Sequence, residues 1–298
     1  MTLGIVILNW NQSEDTIACV RLAQSWPLPK RIWVVDNASR SDDVQRIVAE
    51  LNGVEVLLSE TNLGFAGGNN LALRHVLQSD CEAVLLFNND ARADGEAILQ
   101  LQGRLSRDAR IGVIGPVLVD TSQPVRILSA GGRDIAWHLS SHIPEPITLD
   151  ALHHVDYVPG TCVMIRTEVL RTVGLLDEAY FFGGELADFC IRARRCGWLS
   201  AIDSAATVQH AVDRSAELRQ SLHIYYVIRN RFLYIRKFYS HTRLPLFAIW
   251  TIHGLSAAML ALAKGQRARA RTIALACWDG WRGRFGGQNA RVTNGQIE

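Results

Sequence analysis

The pattern that most constrains this chain is a short apolar run that stops abruptly at polar residues, repeated within the first ninety positions. Leu3 to Leu8 ends in Asn9-Trp10-Asn11, Arg31 to Val35 ends in Asp36-Asn37-Ala38-Ser39, and Ala83 to Phe87 ends in Asn88-Asn89-Asp90. Such runs read as strands buried on both faces, the mark of a parallel sheet covered by helices. Helical stretches separate them. Ser13-Glu14-Asp15 supplies the cap and acidic first turn of a helix reaching about Trp26, and Pro27 and Pro29 stop it. Ser41-Asp42-Asp43 opens another, with Val44, Ile47, Val48 and Leu51 expected on one face, and Val54 to Leu58 is a third strand. The alternation predicts an α/β, Rossmann-like, mostly parallel sheet flanked by helices. Ligands of open α/β sheets sit at the carboxyl ends of strands. A carboxylate at such an end, flanked by amide oxygens, suits a hard divalent cation bound to phosphate. Asn88-Asn89-Asp90 equally suits a polar turn that caps the next helix.

The stretch Asn62-Leu63-Gly64-Phe65-Ala66-Gly67-Gly68-Asn69-Asn70 reads as a glycine-rich loop opening a helix through Leu77. Glycines there allow backbone to approach a ligand, and helix N-termini attract phosphate. It matches neither the dinucleotide nor the Walker fingerprint, and a tight structural turn is the other reading. A helix from Glu96 to Leu105 and a strand from Ile111 to Val119 follow. An irregular insertion then extends from Gly131 to His154, whose histidines lack a metal-protease pattern and read as surface or loop residues. Val158 to Arg166 is a turn and strand, followed by a short helix from Glu168. Gly184-Glu185-Leu186-Ala187-Asp188 opens a basic helix through Arg195. Glu185 and Asp188, three apart, share one helix face, either as functional carboxylates or as an acidic turn complementing the helix dipole.

From Leu218 to Tyr239 the pattern is helical, and Leu244 to Ala263 contains no charged residue. An interfacial amphipathic helix is the favoured reading of the second stretch, ahead of a core helix or a membrane span. From His241 onward eight basic residues stand against Asp279 and Glu298, a balance that suits an anionic membrane surface. A solvated basic tail is the alternative. For the whole chain of 298 residues the net charge is only +2, which argues against a nucleic-acid binder. The six cysteines form no C-x-x-C pair and read as free thiols of a reducing compartment. The N-terminus reads as a first strand rather than a signal peptide. These features predict a cytoplasmic protein, or one peripheral to the cytoplasmic face of the cell membrane.

The ordered series Val35-Asp36-Asn37-Ala38-Ser39, Asn62-Leu63-Gly64-Phe65-Ala66, Asn88-Asn89-Asp90 and Gly184-Glu185-x-x-Asp188 resembles family 2 glycosyltransferases of the GT-A fold. It is most similar to rhamnosyltransferase-like members acting on lipid-linked sugars, over about residues 3 to 240. Tyr225-Tyr226-x-x-Arg229-Asn230-Arg231 and Asp279-Gly280-x-Arg282-Gly283-Arg284 also have counterparts there. The resemblance implies a GT-A catalytic domain over residues 1–215 and a helical C-terminal extension over 216–298, associated with the membrane surface. It implies inverting transfer from a nucleotide-sugar donor, such as dTDP-rhamnose, to a lipid-linked or polysaccharide acceptor in cell-envelope glycan synthesis, with a divalent cation (Mg²⁺ or Mn²⁺). UDP- and GDP-sugars stay open, as does assembly into a homo-oligomer. Carried over by position, Asn9 and Asp36 contact the base, and Asn62, Gly64, Phe65 and Asn69 line the nucleotide pocket. Asn88, Asn89 and Asp90 bind the nucleotide sugar, Asn88 standing at the first position of the family's Asp-x-Asp-type motif. Asp90 is the principal metal ligand, and His210 a second residue that can approach the metal or diphosphate.

The chemistry requires a general base for the acceptor hydroxyl and stabilisation of the departing diphosphate. Relatives commonly carry Glu-Asp at the helix start, the aspartate being the base; here that second position is Leu186, which accepts no proton. Glu185 is therefore expected to be the base, with Asp188 binding acceptor or orienting a cation. Two other readings compete. A sugar-nucleotide nucleotidyltransferase needs a basic glycine-rich loop after the first strand, where this chain has Asn9-Trp10-Asn11-Gln12. A degenerate GT-A domain serving nucleotide-sugar binding or assembly would account for Leu186.

Overall fold

A computed structural model describes residues 1–120, 125–145, 148, 151–210, 217–293 and 295. The chain forms two compact units, one comprising 1–134, 140–176 and 186–212, the other 135–139, 177–185 and 213–298. The boundary expected between 215 and 216 lies outside the described residues.

The first unit is built on a sheet. Its elements are β1 (Leu3–Asn9), α1 (Ser13–Ser25), β2 (Lys30–Asn37), α2 (Ser41–Glu50), β3 (Glu55–Ser59), α3 (Gly64–Gln78), β4 (Ala83–Phe87) and β5 (Ala91–Arg92). They are followed by α4 (Gly95–Arg107), β6 (Ile111–Asp120), β7 (Ile127–Ser129), β8 (Leu152–His154), β9 (Cys162–Arg166) and α5 (Thr167–Val173). Then come α6 (Glu185–Arg195) and β10 (Leu199–His210). The described strands run in the order β3-β2-β1-β4-β9-β6-β10-β5, with β7 added to β6 and β8 to β10. β3, β2, β1 and β4 are mutually parallel, as expected, whereas the other half pairs β6 parallel to β10 but adds β5 and β8 antiparallel to β10 and β7 antiparallel to β6. Between them β9 runs antiparallel to both neighbours, making the whole sheet mixed. The apolar runs form the core as their composition dictates: Ile5, Ile7, Val34, Leu85 and Met164 are fully buried.

Three expectations change. In α2, Ile47 and Leu51 pack inward but Val48 is 57% exposed, because the helix buries a narrower stripe than its apolar residues could fill. The glycine-rich stretch is not a loop from Gly64 onward: it is the first two turns of α3. Gly64 takes φ 70° where the chain enters, and a Cβ on Gly68 would lie 2.6 Å from Leu8 Cδ1. The glycines thus bring α3 close against β1. The insertion between Gly131 and His154, expected to be irregular, contributes β8 to the sheet edge.

The second unit is helical, with α7 (Glu217–Phe238), α8 (Arg243–Ala263), α9 (Arg267–Arg282) and α10 (Asn289–Thr293). It includes the one-turn 3-10 helix Glu178–Tyr180. α8 follows its expected bounds. Its buried residues, Leu246, Phe247, Trp250, Gly254, Ala258 and Ala261, recur at helical spacing and leave the rest of the circumference outside.

Candidate active site

The parallel register of β1 and β2 sets Asn9 directly beside Asp36 at the strand ends. Asn9 Nδ2 donates to Asp36 Oδ2 at 2.8 Å and lies 3.0 Å from Ser39 Oγ. Asp36 Oδ1 accepts from Ser39 N at 2.9 Å, and the carboxylate is 1% exposed. A carboxylate offers about four lone pairs, so two remain for a ligand. The backbone here is strained: Asn11 and Ala38 both lie at positive φ, 54° and 60°. Asn11 Oδ1 in turn accepts from Arg40 N, tying the two strand ends together.

Thr16 extends this pair into a relay. Its hydroxyl donates to Asn9 Oδ1 at 2.6 Å and accepts from Asn89 Nδ2 at 3.0 Å. Asp36, Asn9, Thr16 and Asn89 thus form one buried chain of hydrogen bonds from the end of β2 to the turn after β4. Thr16 was not among the residues expected at the site. A threonine early in a helix carries no signal of its own, and only the closeness of α1 to β1 and β4 reveals it.

Asn62 and Gly64 are organised by another residue absent from the expected site, Asn37. Its Nδ2 donates to Asn62 Oδ1 and Gly64 O, both at 3.1 Å, while its Oδ1 accepts from Leu63 N at 2.8 Å. Asn62 Oδ1 also accepts from Gly64 N at 2.9 Å, so two amides close the entry to α3. Asn69 Nδ2 donates to Phe65 O at 2.8 Å, a bond within the helix, and Asn69 is 1% exposed. Phe65 turns towards Gly160, where a Cβ would meet Phe65 Cζ at 3.1 Å and Leu186 Cδ2 at 3.3 Å. Leu186, 3% exposed, is therefore held in an apolar setting.

Asp90 and His210 meet because β5 pairs antiparallel with the end of β10, aligning Ala91 with His210. His210 Nε2 lies 3.3 Å from Asp90 Oδ1. That oxygen is buried and takes part in no hydrogen bond among the described residues. Beside it, Cys19 Sγ donates to Asn88 O at 3.6 Å. Burial pushes this thiol up to about 12, Arg92 opposing and Asp90 and Asp15 adding to the rise, so it stays protonated. Among the described residues no group of three His, Cys, Asp or Glu side chains is placed to hold a metal by itself. An aspartate oxygen without a hydrogen bond, with one imidazole beside it, fits a cation that takes its other ligands from phosphate and water.

The two carboxylates of α6 differ. Asp188 is fully buried and accepts from Arg192 Nε at 2.6 Å, while Arg192 also donates to Val173 O and Leu175 O. Asp188 thereby anchors α6 to the chain after α5. Glu185, 6% exposed, is the first residue of α6 and the last of the helical unit's segment 177–185.

Residues 4–174 match the sequence family described as Glycosyl transferase family 2. Three relatives show the range of named activities. A low-salt glycan biosynthesis hexosyltransferase of Haloferax volcanii is 28% identical over 78% of this chain and 74% of its own. A dTDP-rhamnosyl transferase of Shigella flexneri is 26% identical over 85% and 87%. An N-acetylglucosaminyl-diphospho-decaprenol L-rhamnosyltransferase of Mycobacterium tuberculosis is 24% identical over 88% and 92%. Among solved structures, GalNAc-T7 with UDP, GalNAc and Mn²⁺ superposes with a TM-score of 0.62 at 15% identity. That match covers 81% of this chain and 48% of GalNAc-T7, so this chain spans about half of it. A mannosyltransferase of Pyrobaculum calidifontis, in complex with GDP-Man and Mn²⁺, gives 0.55 at 12% identity over 94% and 86%. These likenesses establish the GT-A fold.

Proposed function

The chain belongs to glycosyl transferase family 2, and from that premise we propose that it transfers one sugar, with inversion and with a divalent cation, to a lipid-linked acceptor. The observation that carries this reading is the Asp90 and His210 pair, whose buried Asp90 Oδ1 takes part in no hydrogen bond among the described residues. It adjoins Asn89, where the relay from Asp36 through Asn9 and Thr16 ends. We assign Asp36 and Asn9 to the nucleotide base and the stretch from Asn62 to Asn69 to the wall of its pocket. Asn88, Asn89 and Asp90 take the diphosphate. Asp90 and His210 would hold the cation, whose chemistry would be to offset negative charge on the leaving diphosphate.

Glu185 takes the proton of the acceptor hydroxyl as its oxygen bonds to the anomeric carbon and the bond to the nucleoside diphosphate breaks. Leu186 accepts no proton and Asp188 is engaged by Arg192 in anchoring α6, and we assign the role to Glu185 at the start of that helix. A dTDP-rhamnose donor is supported by the named activity of the Shigella relative, and a lipid diphosphate acceptor by that of the mycobacterial one.

We place the protein at the cytoplasmic face of an anionic membrane. α8 is long and apolar enough to cross a bilayer, yet one stripe of it is buried within its own unit. Its outer face exposes Ile252 (66%) and Met259 (71%), with Ile249, Leu255 and Leu260 around them. Lys264, Arg267, Arg269 and Arg271 follow directly and are exposed, whereas Asp279, the one acid between residues 243 and 293, is fully buried. Apolar side chains bordered by basic ones suit a helix lying in the plane of acidic headgroups.

The test is a donor screen by mass spectrometry, with full-length protein, dTDP-, UDP- and GDP-sugars, Mn²⁺ or Mg²⁺, and membrane lipid extract. One donor should yield a lipid product heavier by one sugar, of inverted anomeric configuration, only with the cation present. Donor binding without product from any extract would favour the degenerate binding domain instead.

A further inference from the structure

Between the 3-10 turn ending at Tyr180 and the start of α6 at Glu185 lie Phe181, Phe182, Gly183 and Gly184. Three of these hold positive φ: Phe181 at 62°, Gly183 at 79° and Gly184 at 97°. Glycine accepts such angles, but phenylalanine is strained there and keeps them only when its surroundings impose them. The conformation matters because the next residue is Glu185.

Asn230, on α7 and 1% exposed, imposes it. Its Nδ2 reaches the carbonyl oxygens of Tyr180 (2.9 Å), Phe182 (2.9 Å) and Gly183 (2.5 Å). An amide group has two donor hydrogens, so the three carbonyls share them, which requires the turn to stay tightly wound. The amide's orientation is itself fixed. Arg229 Nε and Nη2 both donate to Asn230 Oδ1, at 2.9 and 2.6 Å, so its Nδ2 can only face the turn. Arg229 is fully buried, lies over the Tyr226 ring at 4.8 Å, and donates to Tyr180 O and Gly286 O. Phe181 stacks on Tyr226 with centroids 5.0 Å apart. Burial this complete lowers the guanidinium's pKa, the nearby tyrosines and Asp279 opposing that, and is an expensive way to hold an ordinary turn.

We propose that Asn230, oriented by Arg229, is a positioning residue for catalysis: it winds the turn at 181–184 so that Glu185 starts α6 in the orientation proton transfer needs. The inference rests on Glu185 being the base. The two ideas are separated by comparing Glu185→Gln, Asn230→Ala, Gly183→Ala and the double variant Glu185→Gln/Asn230→Ala in the full chain. Gly183→Ala strains the same turn while its Cβ meets only Val227 Cγ2, at an ordinary 3.6 Å, so it disturbs the turn without disturbing the core. Turnover is measured with the donor selected by the screen, and binding with dTDP, UDP and GDP in the presence of Mn²⁺.

Glu185→Gln should lose transfer by roughly 10²–10⁴-fold. Asn230→Ala and Gly183→Ala should each lower kcat by about 10- to 100-fold, with nucleotide affinity unchanged. Adding Asn230→Ala to Glu185→Gln should cost nothing more, since both act through one group. Wild-type kcat in Gly183→Ala, or a full further loss in the double variant, would overturn the positioning role while leaving the base intact. Near-normal transfer by Glu185→Gln would overturn the base, and the positioning role with it.

Discussion

In the sheet unit, β1, β2 and β4 bury all their aliphatic side chains except that of Leu8, and asparagine and aspartate stand at the strand ends. The helical unit has apolar clusters of its own, but it also buries charge and exposes aliphatic side chains. Arg229 and Asp279 are fully buried and Arg231 nearly so, while α8 turns isoleucine, leucine and methionine outward. The buried charges are satisfied: Asp279 accepts from Tyr225 Oη at 2.7 Å and from Arg291, and Arg231 donates to Ile135 O and stacks on Trp250. Both units have apolar cores, but the sheet unit keeps its strand aliphatics inside, whereas the helical unit adds buried, fully bonded charges to its core and leaves the aliphatic side chains of one α8 face outside. The apolar face left on α8 marks an interaction surface, which we assign to lipid.

The sharpest way to break that contrast is to make one truncation in both places. Leu85→Ala, at a fully buried sheet position, should cost about 2–5 kcal/mol in denaturant unfolding. Ile252→Ala, on the outer face of α8, should stay within about 0.5 kcal/mol. The second effect should appear elsewhere. Ile252→Glu combined with Met259→Glu should abolish sedimentation with phosphatidylglycerol vesicles while leaving the unfolding transition in place. Equal vesicle binding by this variant and the parent would show that the outer face of α8 meets something other than lipid.

A smaller effect tests the polar relay. Thr16→Val keeps the shape of the side chain but leaves Asn9 Oδ1 and Asn89 Nδ2 without their shared hydroxyl. It should cost about 1–3 kcal/mol of stability and weaken nucleotide binding by roughly tenfold. Unchanged affinity would mean that the relay serves folding alone.

The smallest effect concerns the thiols. Cys196 is exposed and the other five cysteines are buried, so iodoacetamide at pH 8 should label one site per folded chain. Burial raises the Cys277 thiol to about 11, as it raises Cys19 to about 12, each above the ordinary value of 9.0. A raised folded-state pKa means that these neutral thiols contribute their full stability below pH 9 and lose it progressively as pH rises through 11 to 12. Melting curves from pH 8 to 11 should fall accordingly, and labelling of a second site at pH 8 would contradict the burial.

The strands and most helices were legible because apolar runs of five or six residues, stopped by Asn, Asp or Pro, leave few alternatives. The direction of β9 was not legible: a buried strand has the same composition whichever way it runs, and only pairing with both β4 and β6 decides it. The stretch from Gly64 to Asn70 was misread as a loop because glycine signals either freedom or tight contact, and Gly68 against Leu8 is the second case. At the site, the carboxylates and amides were visible as strand-end residues. Thr16 and Asn37 were not, since their roles exist only through partners distant in sequence. Nothing in the spacing of Glu185 and Asp188 shows that Asp188 is engaged by Arg192, one helical turn beyond it.

The central claim is that the sheet unit holds a nucleotide sugar through a cation at Asp90, and it is tested most directly by Asp90→Ala in the full chain. Transfer to lipid extract and Mn²⁺-dependent binding of dTDP, UDP and GDP would be measured beside the thermal midpoint. The account predicts loss of transfer by at least about 10³-fold and loss of the Mn²⁺-dependent part of nucleotide affinity, with the midpoint unchanged. Transfer at near wild-type rate, with Mn²⁺ still strengthening nucleotide binding, would contradict it.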